Sequence, residues 1–450
     1  MHKSRHHKTA RHQGIGAFLV SDDGSIIVKE ESAAHIVRRA SFLAIADALA
    51  KGCAFVTAIV AARVFGEAGF GALNFAQALA AFALVVGGSW LEIYAVKTAT
   101  QSPEQLGAIA NTVVRLRLAL GAAAFVAVGS IAYLAPSFHA VLPLVLLYAL
   151  SVFTGALSLQ WVTQALRKTH LMGLAVLAAQ ATYLLLVLIL VQLTDRTWTV
   201  PLALVAGELI AAIGLWRWAR RSVEQLSEPL SYPDSLAFLR RASPIGVAQL
   251  LRQVALGSDL VVVGMLLTLA DAGAYGAAYK IYLFGISAIS LYMIVSFPKI
   301  VRTAGAQPTR LGRQLMLSIA IVLILGSPAL IGGTMFAGDI LARVFGSGFA
   351  AGGESLRILL ATLVLYAVTT HFRNALFAFE KQHIDALLVG ISAVVHVLAK
   401  IGLAGWLGIE GVAFGALAGE ATLLILTIWV YRRVVRTARD TTVPTPIEIQ

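Results

Sequence analysis

Residues 206–221 read AGELIAAIGLWRWARR and residues 418–433 read AGEATLLILTIWVYRR. Both open on Ala-Gly-Glu, run through mainly apolar residues and close on two arginines, and one maps onto the other at an offset of 212 residues. An apolar run that ends on Arg-Arg is the pattern of a helix leaving a bilayer, with hydrocarbon-compatible side chains inside and cations at the headgroups. A second pair repeats at an offset of 204: Glu67-Ala68-Gly69-Phe70-Gly71-Ala72 and, with one residue inserted, Asp271-Ala272-Gly273-Ala274-Tyr275-Gly276-Ala277. The two echoes fall in matching places, each keeping an acidic residue, and so read as an ancient duplication.

Working outward, the whole chain shares this character. Of 450 residues, 58% are hydrophobic and 13% charged, against about 25% charged in soluble domains. That little charge cannot cover a water-soluble surface. Windows of about 19 residues place spans near 42–62, 72–96, 113–134, 140–160, 171–193 and 200–219, then near 243–267, 274–298, 314–336, 355–378, 384–406 and 411–431. The expected fold is an all-α integral membrane protein of twelve transmembrane helices in two pseudo-symmetric six-helix bundles, 42–219 and 243–431. A cytoplasmic linker, 220–242, joins them through Ser227-Glu228-Pro229-Leu230-Ser231-Tyr232-Pro233-Asp234, a turn-rich stretch. Basic tails, 1–41 and 432–450, flank the bundles. The first is read as a charged stretch without fixed structure leading to an uncleaved span, and its scattered His2, His6, His7 and His12 do not form a metal motif.

The net charge of +12 raises nucleic acid as a partner, and the placement of the basic residues decides against it. Twenty-six Lys and Arg fall in the two tails and the even-numbered loops, and only Arg63, Arg196 and Arg343 in the odd-numbered loops. Cytoplasmic loops carry such an excess, so both termini are expected in the cytoplasm. Two six-span halves are then parallel repeats with a substrate path between them. Cys53 stands alone, which leaves no disulfide framework or cysteine metal site.

The segment Arg63-Val64-Phe65-Gly66-Glu67-Ala68-Gly69-Phe70-Gly71-Ala72-Leu73-Asn74-Phe75-Ala76-Gln77 resembles the opening loop of the polysaccharide and O-antigen flippases, of the superfamily of multidrug, oligosaccharidyl-lipid and polysaccharide (MOP) exporters. Ala274–Lys280 leading to Ser296–Lys299, Val344–Phe349, and Gly408–Gly415 are similar to the C-terminal half of that family. The likeness covers roughly 36–436. It implies a MATE-like V of two bundles around a cavity that opens alternately to each side. The substrate it implies is a lipid-linked precursor of a surface saccharide such as O-antigen, lipopolysaccharide or exopolysaccharide, crossing the inner membrane. With twelve spans rather than fourteen, the dedicated lipid II flippases are the poorer match. Gly87-Gly88, Gly332-Gly333 and Gly402 with Gly405 are expected to let helices pack closely.

Charges inside spans cost about 2.5–3.5 kcal/mol each at mid-depth and are therefore informative. The bases are Lys51, Arg252, Lys280, Arg357, Arg373 and Lys400; the acids are Asp47, Glu92, Glu208, Asp259 and Glu420. Lys51, Arg252, Lys280 and Lys400 are the candidates for binding an anionic headgroup. Asp47, Glu208, Asp259 and Glu420 are the candidates for charge pairing or for coupling to a proton or sodium ion. Asp47 with Lys51, four apart, and Arg252 with Asp259, seven apart, share helix faces and can pair. His396 is read as a neutral packing residue. Structural glue between helices is the plain alternative for each charge.

Three functions compete: flipping of a lipid-linked saccharide, ion-coupled export of drugs or metabolites, and a membrane-embedded saccharide polymerase or ligase. Six bases against five acids favour an anionic substrate. No nucleotide motif, zinc spacing, nucleophile elbow or outer loop with paired carboxylates beside a histidine is present. No catalytic residue, resident metal or cofactor is therefore expected; membrane lipids and the saccharide carrier are the expected partners.

Overall fold

The computed structural model describes residues 16–20, 26–30, 33–135, 138–222, 231–306 and 308–440. In chain order these form strands β1 (Gly16–Val20) and β2 (Ile26–Glu30), then helices α1 (Ala33–Val86), α2 (Leu91–Gln101), α3 (Leu106–Leu134), α4 (Leu142–Ala149), α5 (Ser151–Leu157), α6 (Gln160–Ala165), α7 (Thr169–Leu193) and α8 (Thr199–Ser222). The second half holds α9 (Tyr232–Leu266), α10 (Leu269–Ala306), α11 (Pro308–Met335), α12 (Ala337–Val344), α13 (Gly353–Ala378) and α14 (Gln382–Asp440).

Among the described residues, ten helical stretches are long and apolar enough to cross a membrane. Two of them, Phe42–Gln101 with 60 residues and Gln382–Thr437 with 56, are far too long for one crossing, since about 20 residues span the hydrocarbon. Each is broken by a glycine at positive φ: Gly66 (64°) in α1 and Gly408 (58°) in α14. Without a Cβ, glycine adopts that conformation freely, and at each break two helices meet. In α14 they fold back on one another. A Cβ on Gly411 would lie 2.2 Å from the Leu403 carbonyl oxygen, one on Gly415 2.6 Å from the Lys400 nitrogen, and one on Gly419 2.2 Å from the His396 ring. One set of numbers rises as the other falls, so the arms are antiparallel. Their seam is a ladder of glycines four residues apart, the small-residue spacing that lets membrane helices approach. Ser392 ties it further, its hydroxyl donating to the Gly419 carbonyl at 2.9 Å.

The motif echoes meet in space. A Cβ on Gly71 would lie 1.7 Å from the Leu269 carbonyl oxygen, and one on Gly273 would lie 2.1 Å from that of Glu67. The second arm of α1 therefore crosses the start of α10 backbone on backbone, which is why small residues open both motifs. Phe70, Phe345 and Phe349 pack over this crossing. Arg63 fastens it, donating from Nε to the Val344 carbonyl at 2.9 Å and from Nη2 to that of Arg343 at 2.5 Å. These are the last carbonyls of α12, which lack intrahelical donors.

Several expectations are corrected. The first forty residues, read as lacking fixed structure, include an antiparallel hairpin pairing Gly16 with Glu30 and Val20 with Ile26. The apolar runs on either side of Ser21-Asp22-Asp23-Gly24-Ser25 carry that signal within an otherwise polar and basic stretch. The span set at 72–96 is interrupted: α1 ends at Val86, and Gly88 turns the chain at φ 89° before α2. The fourth span stands as one stretch, Leu142–Ala165, but it is built of three short helices, α4 to α6. The linker is shorter than 220–242, because α9 begins at Tyr232, where the Ser231 hydroxyl accepts from the Asp234 amide at 3.4 Å as an N-cap. Gly402 and Gly405 pack against nothing within 4 Å; the close-packing glycines of α14 are on its other arm. His2, His6, His7 and His12, linker residues 223–230 and tail residues 441–450 lie outside the described residues.

Candidate functional site

Three groups of buried or half-buried polar side chains stand out inside the apolar helices among the described residues. The first lies where the halves meet. Lys280 on α10 donates to the Gln77 side-chain oxygen on α1 at 3.1 Å, a bond between residues 203 apart. It has no acidic partner among the described residues, so its ammonium faces the seam with its charge uncompensated. Towards the Gly66 turn, Arg63, Glu67, Phe345 and Gly346 line a cavity of about 500 Å³.

The second group belongs to the C-terminal half. Lys400 is wholly buried. Its Nζ donates to the Ala255 carbonyl at 3.0 Å, to the Ser258 hydroxyl at 3.1 Å and, in a shorter contact, to Asp259 Oδ1. The other oxygen of Asp259 accepts from the Tyr275 hydroxyl at 2.5 Å. The stem of Lys400 reaches this point because Gly415 opposite has no side chain: a Cβ there would come within 2.6 Å of Lys400 Cγ. Nearby, Arg373 binds Asp385 through two parallel bonds of 2.7 Å, the fork geometry that makes Arg–carboxylate pairs strong. A further buried chain runs from the Tyr292 hydroxyl to the Ser318 hydroxyl (2.8 Å) and on to His371 Nε2 (3.0 Å).

The third group belongs to the N-terminal half. Arg117 on α3 is ion-paired with Glu92 on α2, and the Thr154 hydroxyl on α5 donates to Glu208 on α8 at 2.5 Å. All four line one cavity of about 180 Å³, together with Gly155, Ser158 and Gln160. Gly155 matters to this arrangement, since a Cβ on it would sit 3.2 Å from Arg117 Nη2. Arg117 Nε, although buried, has no hydrogen-bond partner.

Residues 36–304 match the sequence profile of the family described as polysaccharide biosynthesis protein. The chain belongs to that family. Among curated proteins none matches. Solved structures supply the fold. A lipid II flippase, MurJ, in an inward closed conformation aligns at TM-score 0.71 and 12% identity, covering 90% of this chain and 93% of its own. An inward-facing multidrug resistance MATE transporter of the MOP superfamily aligns at 0.69 and 17%, covering 87% and 96%. A MOP superfamily transporter from Pyrococcus furiosus aligns at 0.60 and 17%, covering 90% and 96%. The polysaccharide biosynthesis protein therefore has the all-helical MOP superfamily fold.

In this polysaccharide biosynthesis protein the eight expected site residues do not form one cluster. Lys51 pairs with Asp47 at 2.7 Å, half-exposed, as the four-residue spacing indicates. Arg252 does not pair with Asp259: it is exposed, and Lys400 holds Asp259 instead. Lys400 has its three donors engaged by protein oxygens, so in this conformation it has none for a headgroup. No hydrogen bond or ion pair links any two of Lys51, Arg252, Lys280 and Lys400. Glu420 and His396 are buried at the α14 seam, with Glu420 Oε1 and His396 Nδ1 unpartnered. Arg117, which lies well inside α3, is a site residue absent from the expected set. Its signal was available, as an arginine inside an apolar run with an in-span acid, Glu92, unaccounted for.

Proposed function

We propose that this polysaccharide biosynthesis protein flips a lipid-linked oligosaccharide or polysaccharide precursor across the cytoplasmic membrane by alternating access. The reading takes the two glycine-broken stretches as two spans each, giving twelve spans in two halves with both termini cytoplasmic. The basic residues support this sidedness. The two helices that end the halves also reach a membrane–water boundary there: Arg220 lies over Trp216 and Arg433 over Trp429, and aromatic and cationic side chains together suit such a boundary.

One observation carries the reading: Lys280, held between the halves, among the described residues, by neutral Gln77 alone. An ammonium without an acid inside apolar helices is poorly solvated, and an anionic phosphate entering the seam supplies both the missing charge and its hydrogen bonds. Exposed Arg252 can add a planar fork that grips phosphate with two bonds. Lys51 contributes as half of a pair with Asp47, while Lys400 drops out of the headgroup set. As the halves rock, the crossing at Gly71 and Gly273 and the Arg63 clasp on α12 separate, and the saccharide follows its phosphate through the seam while the lipid tail stays in the bilayer. A coupling ion acts through Glu208 or Glu420.

The test is translocation of a fluorescent lipid-linked saccharide in proteoliposomes. Lys280→Gln and Arg252→Ala are expected to cut the rate at least about tenfold, or about 1.4 kcal/mol in the barrier, with folded yield unchanged. Unchanged flipping in the double variant, or efflux of a cationic drug that competes with the saccharide, would sink this reading. Cysteines at positions 230 and 348 check sidedness: labelling of position 230 from outside overturns it.

A further inference from the structure

The surroundings of Lys400 are those of a metal cation. Its ammonium is enclosed by a backbone carbonyl (Ala255), a hydroxyl (Ser258) and a carboxylate (Asp259), all from one turn of α9. This is the oxygen set that hard cations take in proteins. One carboxylate balances one positive charge, as the monovalent ammonium does here, so a monovalent cation matches the charge of the site. The cage is rigid: Tyr275 holds the second Asp259 oxygen at 2.5 Å, and the Tyr279 hydroxyl donates to the next carbonyl along the helix, that of Leu256. Gly415 leaves the room through which the lysine stem enters. We propose that Ala255, Ser258 and Asp259 form a binding site for a small alkali cation, and that in this protein the Lys400 ammonium is its tethered occupant.

The inference goes beyond the transport reading and does not depend on the substrate. A covalently attached cation cannot be exchanged for one from solution, so this part of the C-terminal half is indifferent to sodium. Removal of the charge should reveal the site: Lys400→Met keeps most of the side-chain stem but vacates the place of the ammonium for a metal ion, while Asp259 keeps the charge that attracts it.

The experiment follows thermal unfolding of the purified full-length protein in detergent at pH 8, with sodium, lithium or potassium chloride titrated against choline chloride at constant ionic strength. Lys400→Met is expected to melt at a lower temperature than the wild type in choline and to regain stability saturably with at least one of the three metals. Lys400→Met with Asp259→Asn is expected to fold and to show no metal response. A Lys400→Met protein that elutes as a monodisperse species yet ignores all three metals overturns the proposal. So does a metal response that survives in the double variant. If Lys400→Met folds only when prepared in one of the metal salts, the proposal is supported; if it folds in none of them while the double variant folds, it is overturned.

Discussion

In the N-terminal half, Arg117 and Glu92 look onto a cavity of about 180 Å³ shared with Thr154 and Glu208, whereas in the C-terminal half the side chains of Lys400 and Asp259 are sealed to 0% and 3% exposure. The sequence echoes relate the two halves, and Glu208 and Glu420 stand in matching places of the Ala-Gly-Glu echo. Their environments have separated: Glu208 accepts from Thr154 beside the open volume, while Glu420 is packed into the glycine seam of α14 with one oxygen unpartnered. One half has kept room around its charges and the other has filled it with protein. An ion pair with room can be relaxed by water, but a sealed pair has only its own members.

The largest expected effect follows from that contrast. Lys400→Ala leaves Asp259 buried without its counter-charge and should destabilise the protein by about 3–5 kcal/mol in choline buffer, read from unfolding in detergent. A loss no greater than that of Glu92→Gln would break the comparison. Next, Gly415→Ala drives a Cβ into the Lys400 backbone at 2.6 Å and should cost about 1–3 kcal/mol, the usual range for overpacking. Gly405→Ala, with nothing within 4 Å, should instead stabilise its arm by up to about 1 kcal/mol through helix propensity. Third, Glu92→Gln should cost only about 1–2 kcal/mol, because the cavity lets water reach the freed Arg117 donors. The smallest effect on stability and the most informative for function is Glu208→Gln against Glu420→Gln, assayed by flipping across a pH series. The first should flatten the pH dependence and the second should leave it; identical profiles for both and for the wild type would remove the coupling role from each.

Much of the architecture could be read from the chain. Composition and hydropathy gave the membrane class, and the resemblance of residues 63–77 pointed to the family that residues 36–304 then matched. The glycine-rich echoes marked the place where the halves cross. Charge pairing was legible only along one helix. Spacing of four correctly joined Asp47 to Lys51, since both lie on one face, but spacing of seven joined Asp259 to Arg252, when its partner stands 141 residues away on α14. Periodicity tells which face a residue occupies and is silent about which helix lies opposite. The early start of α9 was missed for a similar reason: Pro229 and Pro233 read as a linker, although a proline in the first turn after a serine cap begins a helix as well as it interrupts one.

The single residue Gly66 also has a mechanical meaning. A turn of one residue contains no slack, so the two arms of α1 cannot slide independently, and whatever displaces the arm that carries Asp47 and Lys51 must swing the arm that crosses α10. The broken helix is then a lever with its fulcrum at Gly66. Lengthening the turn by a few flexible residues should leave each arm folded and yet disconnect the stroke at one end from the response at the other.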